Sequence, residues 1–164
     1  TVGKKRYADV EEEVKEILAR LEATRNELII LADKDAEAFE PLSKAYGLPK
    51  DTEEEQREKE RIMEAALYEA SRVPLEIMET VLGAMGDLKF LGEKGSKLAV
   101  SDVGVGILFA QAALEGASLN VLINTRLMKN RERAKELNQK ADAMIQEGRK
   151  QKEEIYEDVL NKLR

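Results

Sequence analysis

The stretch SDVGVGILFAQAALEGASLNVLIN, Ser101 to Asn124, decides the fold. It is the most apolar part of the chain and the poorest in charge. Val103, Val105, Ile107, Leu108, Phe109, Leu114, Leu119, Val121, Leu122 and Ile123 cover most of the circumference at 3.6 residues per turn, the pattern of a helix surrounded by other helices. Gly104, Gly106 and Gly116 each cost roughly 1 kcal/mol of helix propensity, which close approach of a neighbouring backbone would explain. Asp102, Asn120 and Asn124 lie near one line along this helix, linked by steps of three or four residues. Buried amides need hydrogen-bond partners, so Asn120 and Asn124 belong either to a structural network or to a site.

The rest of the chain supplies the neighbours. A 164-residue chain is long enough for one domain with a real core, and 37% charged against 4% aromatic residues favours long helices. A first helix is expected from about Asp9 to Tyr46, carrying Val10, Val14, Ile17, Leu21, Leu28, Leu31, Phe39 and Leu42 at helical spacing, and stopped by Gly47 and Pro49. A second begins at Asp51 or Thr52, where Thr52 and Glu55 have capping-box spacing and Asp51, Glu53 and Glu54 suit the helix dipole. Its stripe Ile62, Ala66, Val73, Ile77, Val81, Ala84, Leu88, Leu91 keeps register through Pro74, so one helix kinked near Pro74 and ended by Gly92 and Gly95 is expected. After a loop from Glu93 to Val100, Ser101 or Asp102 caps the central helix. The last helix spans about Arg131 to Leu163, a thin stripe on a charged rod that lies on an outside face. The expected fold is all-α, a bundle of long antiparallel helices around a buried central helix, in a single domain spanning 1–164. Three helices are too few to cover a central helix that is apolar all round, so a dimer is expected.

Composition excludes several chemistries. A net charge of −6 offers no general basic surface for nucleic acid. Without cysteine or histidine there is no thiol nucleophile, no His base and no expected metal site. No apolar run approaches about 20 residues, so no membrane span is expected. The start shows no secretory leader, and a cytoplasmic location is expected. GVG at Gly104–Gly106 follows no strand and does not complete a nucleotide-binding GxGxxG, so tight packing is the better reading.

Acid–base work therefore falls to carboxylates, lysines or tyrosines. Within the first helix the inward positions read Leu31, Asp35, Ala38, Phe39, Leu42. Asp35 stands where an apolar group belongs, whereas Asp33 and Glu37 point elsewhere and are wetter. Burying a carboxylate costs several kcal/mol unless it is paired or protonated. A structural hydrogen bond to another helix and a catalytic role both remain open for Asp35.

Several segments, taken in order, resemble one family: TVGKKRY, DKDAEAFEPLSKAYGLPKDTEEE, VPLEIMETV, and VSDVGVG followed by ALEGASLNVLIN. They resemble the formiminotransferase-cyclodeaminase family of folate metabolism, which includes formiminotetrahydrofolate cyclodeaminases and methenyltetrahydrofolate cyclohydrolases. The resemblance covers nearly the whole chain. It implies an all-helical fold that dimerises, with folate held near the subunit contact. Members usually carry a further N-terminal helix opening with a glycine-rich segment. Thr1 corresponds to a point just after that segment, so the domain is expected to lack it and to leave a groove where a fifth helix would lie.

The resemblance also implies roles. The acidic motif after the first helix supplies the catalytic aspartate and falls on Asp33 to Phe39, where periodicity independently selects Asp35 over Asp33. Its SD and N…N positions fall on Ser101, Asp102, Asn120 and Asn124, and its basic turn on Lys4 and Lys5. The implied reaction closes an N5-formimino group onto N10 of tetrahydrofolate with loss of ammonia. A tetrahydrofolate derivative is then the substrate, and no tightly bound cofactor is expected. Asn120 and Asn124 would bond the pterin or its one-carbon unit, Asp102 would pair with pterin donors, and Lys4 and Lys5 would attract the anionic glutamate tail. Residue type alone favours structural roles for these five: surface charges, an N-cap, and amides that lock helix register. Two alternatives stay open: hydrolysis of the methenyl compound with Asp35 activating water, and a non-enzymatic helical dimer or adaptor.

Overall fold

The computed structural model describes residues 1–164 and contains no strand. There are four long helices, α1 Glu11–Tyr46, α2 Glu53–Lys94, α3 Val100–Leu127 and α4 Arg131–Leu163, with short 3-10 turns before α1 at Lys5–Tyr7 and between α2 and α3 at Lys97–Ala99. The Thr52–Glu55 capping box is formed, with Glu55 N–H donating to Thr52 Oγ1 at 3.2 Å and Thr52 N–H donating to Glu55 Oε2 at 2.9 Å. Helix α2 runs unbroken through the buried Pro74. Helix α3 departs from expectation at its start. It begins one residue early, follows directly from a 3-10 turn, and takes no side-chain cap, so Ser101 and Asp102 are exposed residues of its first turn.

The hub of the bundle is α2, which packs against each of the other three helices, while α3 packs on α2 and α4. The main core joins α2, α3 and α4, and α1 adds only Leu42 to it. The rest of α1 lies along α2 through a 3–4 stripe of Val14, Ile17, Leu21, Thr24, Leu28, Leu31, Asp35, Ala38, Leu42 and Ala45, all buried or half-buried. Phe39 falls off this stripe and is exposed, so the apolar frame of Asp35 is Leu31, Ala38 and Leu42 rather than one that includes Phe39.

The expectation that α3 is buried all round is corrected within one chain. Its inward stripe runs Val100, Val103, Ile107, Gln111, Leu114, Ala117, Val121, Asn124. The opposite face is open: Phe109 is 73% exposed, Leu119 66% and Ile123 61%. The expectation that nothing is long and apolar enough to cross a membrane also needs correcting. Lys97–Leu127 passes that test by length and composition, with a mean hydropathy of 1.5 over its most apolar window. In this chain it packs on α2 and α4, with 33% of that window buried.

Two glycines of α3, Gly104 and Gly106, meet side chains rather than a backbone. A Cβ on Gly104 would stand 2.9 Å from Val159 Cγ1, and one on Gly106 3.3 Å from Leu88 Cδ2. Gly104 thus lets α4 approach α3, which fits the packing reading of GVG. Gly116 faces open space.

Candidate functional site

Asp35 lies on the α1–α2 seam, half-buried between Leu31 and Ala38 on its own helix. Burial pushes its carboxyl pKa above the usual aspartate value, and no opposing charge or hydrogen bond offsets that. Asp33 and Glu37 are exposed, as the periodicity requires. Two contacts fix the antiparallel register of the seam. Arg20 donates to Asp87 at 2.6 and 3.4 Å, and Lys59 Nζ donates to the carbonyls of Tyr46 and Leu48 at 2.7 Å each. That register sets Asp35 level with the Ala70–Arg72 turn of α2.

Helix α3 reaches the same turn from another side. Asn124 Nδ2 donates to the Ala70 carbonyl at 2.9 Å. That carbonyl lacks its usual helical partner because residue 74 is proline. Sequence reading took Pro74 only as a kink. The link was legible in principle, since a proline inside a helix leaves the carbonyl four residues back in need of a donor. Asn120, one turn before Asn124, is exposed beside it. Asp35 and Asn124 therefore share one level of the bundle, with Asn120 one turn, about 6 Å, further along α3.

The remaining predicted residues lie elsewhere in the same chain. Asp102 and Ser101 are about 27 Å or more from the asparagine turn, at roughly 1.5 Å rise per residue. Asp102 borders a small cavity of about 190 Å³ with Thr1, Leu88 and Leu91. Lys4 and Lys5 sit at this same end, exposed and without an ion pair, beside the turn that Gly3 makes at φ 75°. The N-terminal segment is tied here: Ser96 N–H donates to Thr1 Oγ1 at 2.9 Å, and Lys97 N–H to the Tyr7 hydroxyl at 3.3 Å. A neighbouring cavity of about 410 Å³ gathers Arg6, Lys94, Lys97 and Lys162, with Asp9 and Glu93 opposing them. Sequence reading missed these four cations because they come from three separate places along the chain: the start, the α2–α3 connection and the end of α4. The structure thus divides the predicted set into an Asp35–Asn120–Asn124 group and a basic end that also holds Asp102.

A family model for formiminotransferase-cyclodeaminase matches residues 1–143. The chain belongs to this family. A methenyltetrahydrofolate cyclohydrolase of Methylorubrum extorquens is 35% identical over 163 residues, covering 99% of this chain and 78% of that protein. The formimidoyltransferase-cyclodeaminase of Gallus gallus is 28% identical over 147 residues, 90% of this chain but 27% of that longer protein. The crystal structure of a formiminotetrahydrofolate cyclodeaminase from Thermotoga maritima superposes with a TM-score of 0.77 and 32% identity, over 98% of this chain and 74% of that one. Membership in this cyclodeaminase and cyclohydrolase family places the chain in folate metabolism. The family resemblance read from TVGKKRY, DAEAF, YGLPK, VPL and NVLIN therefore holds, as does the all-α fold.

Proposed function

We propose that this protein is a formiminotetrahydrofolate cyclodeaminase with Asp35 as its proton shuttle. The observation that carries the reading is the half-buried Asp35 carboxyl, raised in pKa by an apolar seam and level with Asn124, one turn from Asn120. In the reaction N10 attacks the carbon of the protonated formimino group, N5–CH=NH2+. The N10 proton passes through the carboxylate to the nitrogen, which leaves as ammonia, and the positive charge stays on the methenyl bridge. A base whose pKa is lifted toward neutrality both takes and returns a proton efficiently. Asn120 and Asn124 hydrogen-bond the pterin or the one-carbon unit, and Asp33 contributes from the adjacent exposed face. Asp35→Asn is expected to slow ammonia release from formiminotetrahydrofolate by on the order of a hundredfold or more; full turnover by that variant would overturn the role.

A second reading is methenyltetrahydrofolate cyclohydrolase, favoured by the 35% identity to a protein of that name. Asp35 would then take a proton from water attacking the methenyl carbon. Ammonia release from the formimino compound, run beside loss of methenyltetrahydrofolate absorbance, separates the two reactions.

Two copies of the chain complete the site in this proposal. The open face of α3 carries Val105, Phe109, Gly116, Leu119 and Ile123, with small residues near its middle, Asp102 at one end and Arg126 at the other. Two such faces laid antiparallel bury the apolar residues and set opposite charges together at each end. The Ser101–Asp102 end of one chain then approaches the Asn120–Asn124 level of its partner. Lys4 and Lys5, with the basic cavity beside them, receive the glutamate tail.

A further inference from the structure

Pro74 carries no N–H, so the Ala70 carbonyl one turn earlier loses its helical donor, and the proline ring also crowds that oxygen. Both residues are buried, which denies the carbonyl water as a substitute. The donor comes from α3: Asn124 Nδ2 stands 2.9 Å from Ala70 O. This contact fixes more than a distance. A carbonyl accepts and never donates, so the Asn124 amide must turn its NH2 inward, and its Oδ1 is thereby the atom left for another partner. Oδ1 makes no bond within the chain, and it is not among the buried polar atoms sealed away without one. The lock sits on the turn of α2 that is level with Asp35.

We propose that Pro74 is a positioning residue. By taking the donor from Ala70 it locks Asn124 with Oδ1 outward, so that this part of the site presents a hydrogen-bond acceptor to an N–H or NH2 donor of the reduced pterin substrate. The ligand assignment rests on the folate reading above, whereas the lock rests on the geometry alone. With alanine in place of proline, the new backbone N–H at position 74 takes over the Ala70 carbonyl. The Asn124 amide is then released to rotate and present either end, and a site with mixed polarity discriminates poorly.

The test uses P74A, N124D and the double variant P74A/N124D in the full chain. Tetrahydrofolate binding by calorimetry is expected to weaken about tenfold in P74A, with no loss of urea resistance. Binding is expected to return to within about threefold of the parent in P74A/N124D, because a carboxylate can only accept and Ala70 no longer needs a donor. A general loss of packing at position 74 would not be repaired by that second change. P74A binding within twofold of the parent overturns the proposal, as does a double variant no better than P74A. If the parent protein itself binds no tetrahydrofolate, the folate reading falls separately. The lock is then read by urea denaturation: N124D lowers the midpoint in the parent and leaves it unchanged in P74A, and equal shifts in both backgrounds overturn it.

Discussion

Arg20 of α1 grips Asp87 of α2 with two hydrogen bonds, the shorter 2.6 Å, across 67 residues of sequence. Helix α1 gives little to the main core and lies on α2 through its own stripe, and this ion pair with the Lys59 contacts marks the register on which the placing of Asp35 depends. The pair also raises the pKa of Arg20 above its already high ordinary value. Asp87→Ala is expected to speed amide hydrogen exchange in α1 and leave α3 and α4 unchanged. The Arg20→Ala variant should behave the same way, and the two changes together no worse than either, if the pair acts as a unit.

Asp35 should show opposite effects on activity and stability. Burial raises its pKa, so the folded chain keeps a proton that the unfolded chain gives up near the ordinary value of about 3.9. Its contribution to stability is complete below that value and is lost as the pH rises through the higher folded value. At pH 7 Asp35→Asn is therefore expected to resist urea at least as well as the parent, with its relative advantage shrinking toward pH 4. The same change should cost on the order of a hundredfold or more in turnover. Parent activity should fall as the pH drops through the raised Asp35 pKa, because a protonated carboxyl cannot accept the N10 proton.

Gly104 is a packing glycine, and Val159 is the reason. An added methyl would stand 2.9 Å from the Cγ1 of a buried, stiff β-branched side chain. Gly104→Ala gains about 1 kcal/mol of helix propensity but incurs overpacking of about 1–3 kcal/mol. A net loss of about 1 kcal/mol is expected in urea denaturation. In a Val159→Ala background the same change should be neutral or stabilising, since the obstructing methyl group is gone.

The open face of α3 makes an assembly prediction. Phe109 is 73% exposed and Ile123 61%, on a face with Asp102 and Arg126 at its ends. Sedimentation is expected to show a dimer for the parent and a monomer for Phe109→Glu. Exchanging the end charges, Asp102→Arg with Arg126→Asp, should restore pairing lost in either single variant. A stable monomeric parent would remove the antiparallel arrangement.

Reading the sequence alone determined the helices, their order and the family. Helix periodicity, caps and breakers are local, so the Thr52–Glu55 box, the continuity of α2 and the inward register of Asp35 could all be counted along the chain. The tertiary structure alone decided which helix is the hub, because the apolar ring of α3 does not say whether its cover comes from the same chain or another. It also separated Asp102 from Asn120 and Asn124, since residues on one line of a helix can still be many turns apart, and it placed Lys4 and Lys5 at the Asp102 end. Phe39 left the seam for a related reason: an i+4 step from Asp35 and an i+3 step to Ala38 diverge around the helix, and only α2 determines which one is buried. The partnership of Pro74 with Asn124 belongs to the structure as well, because a missing donor on one helix names no residue on another until the two are packed together.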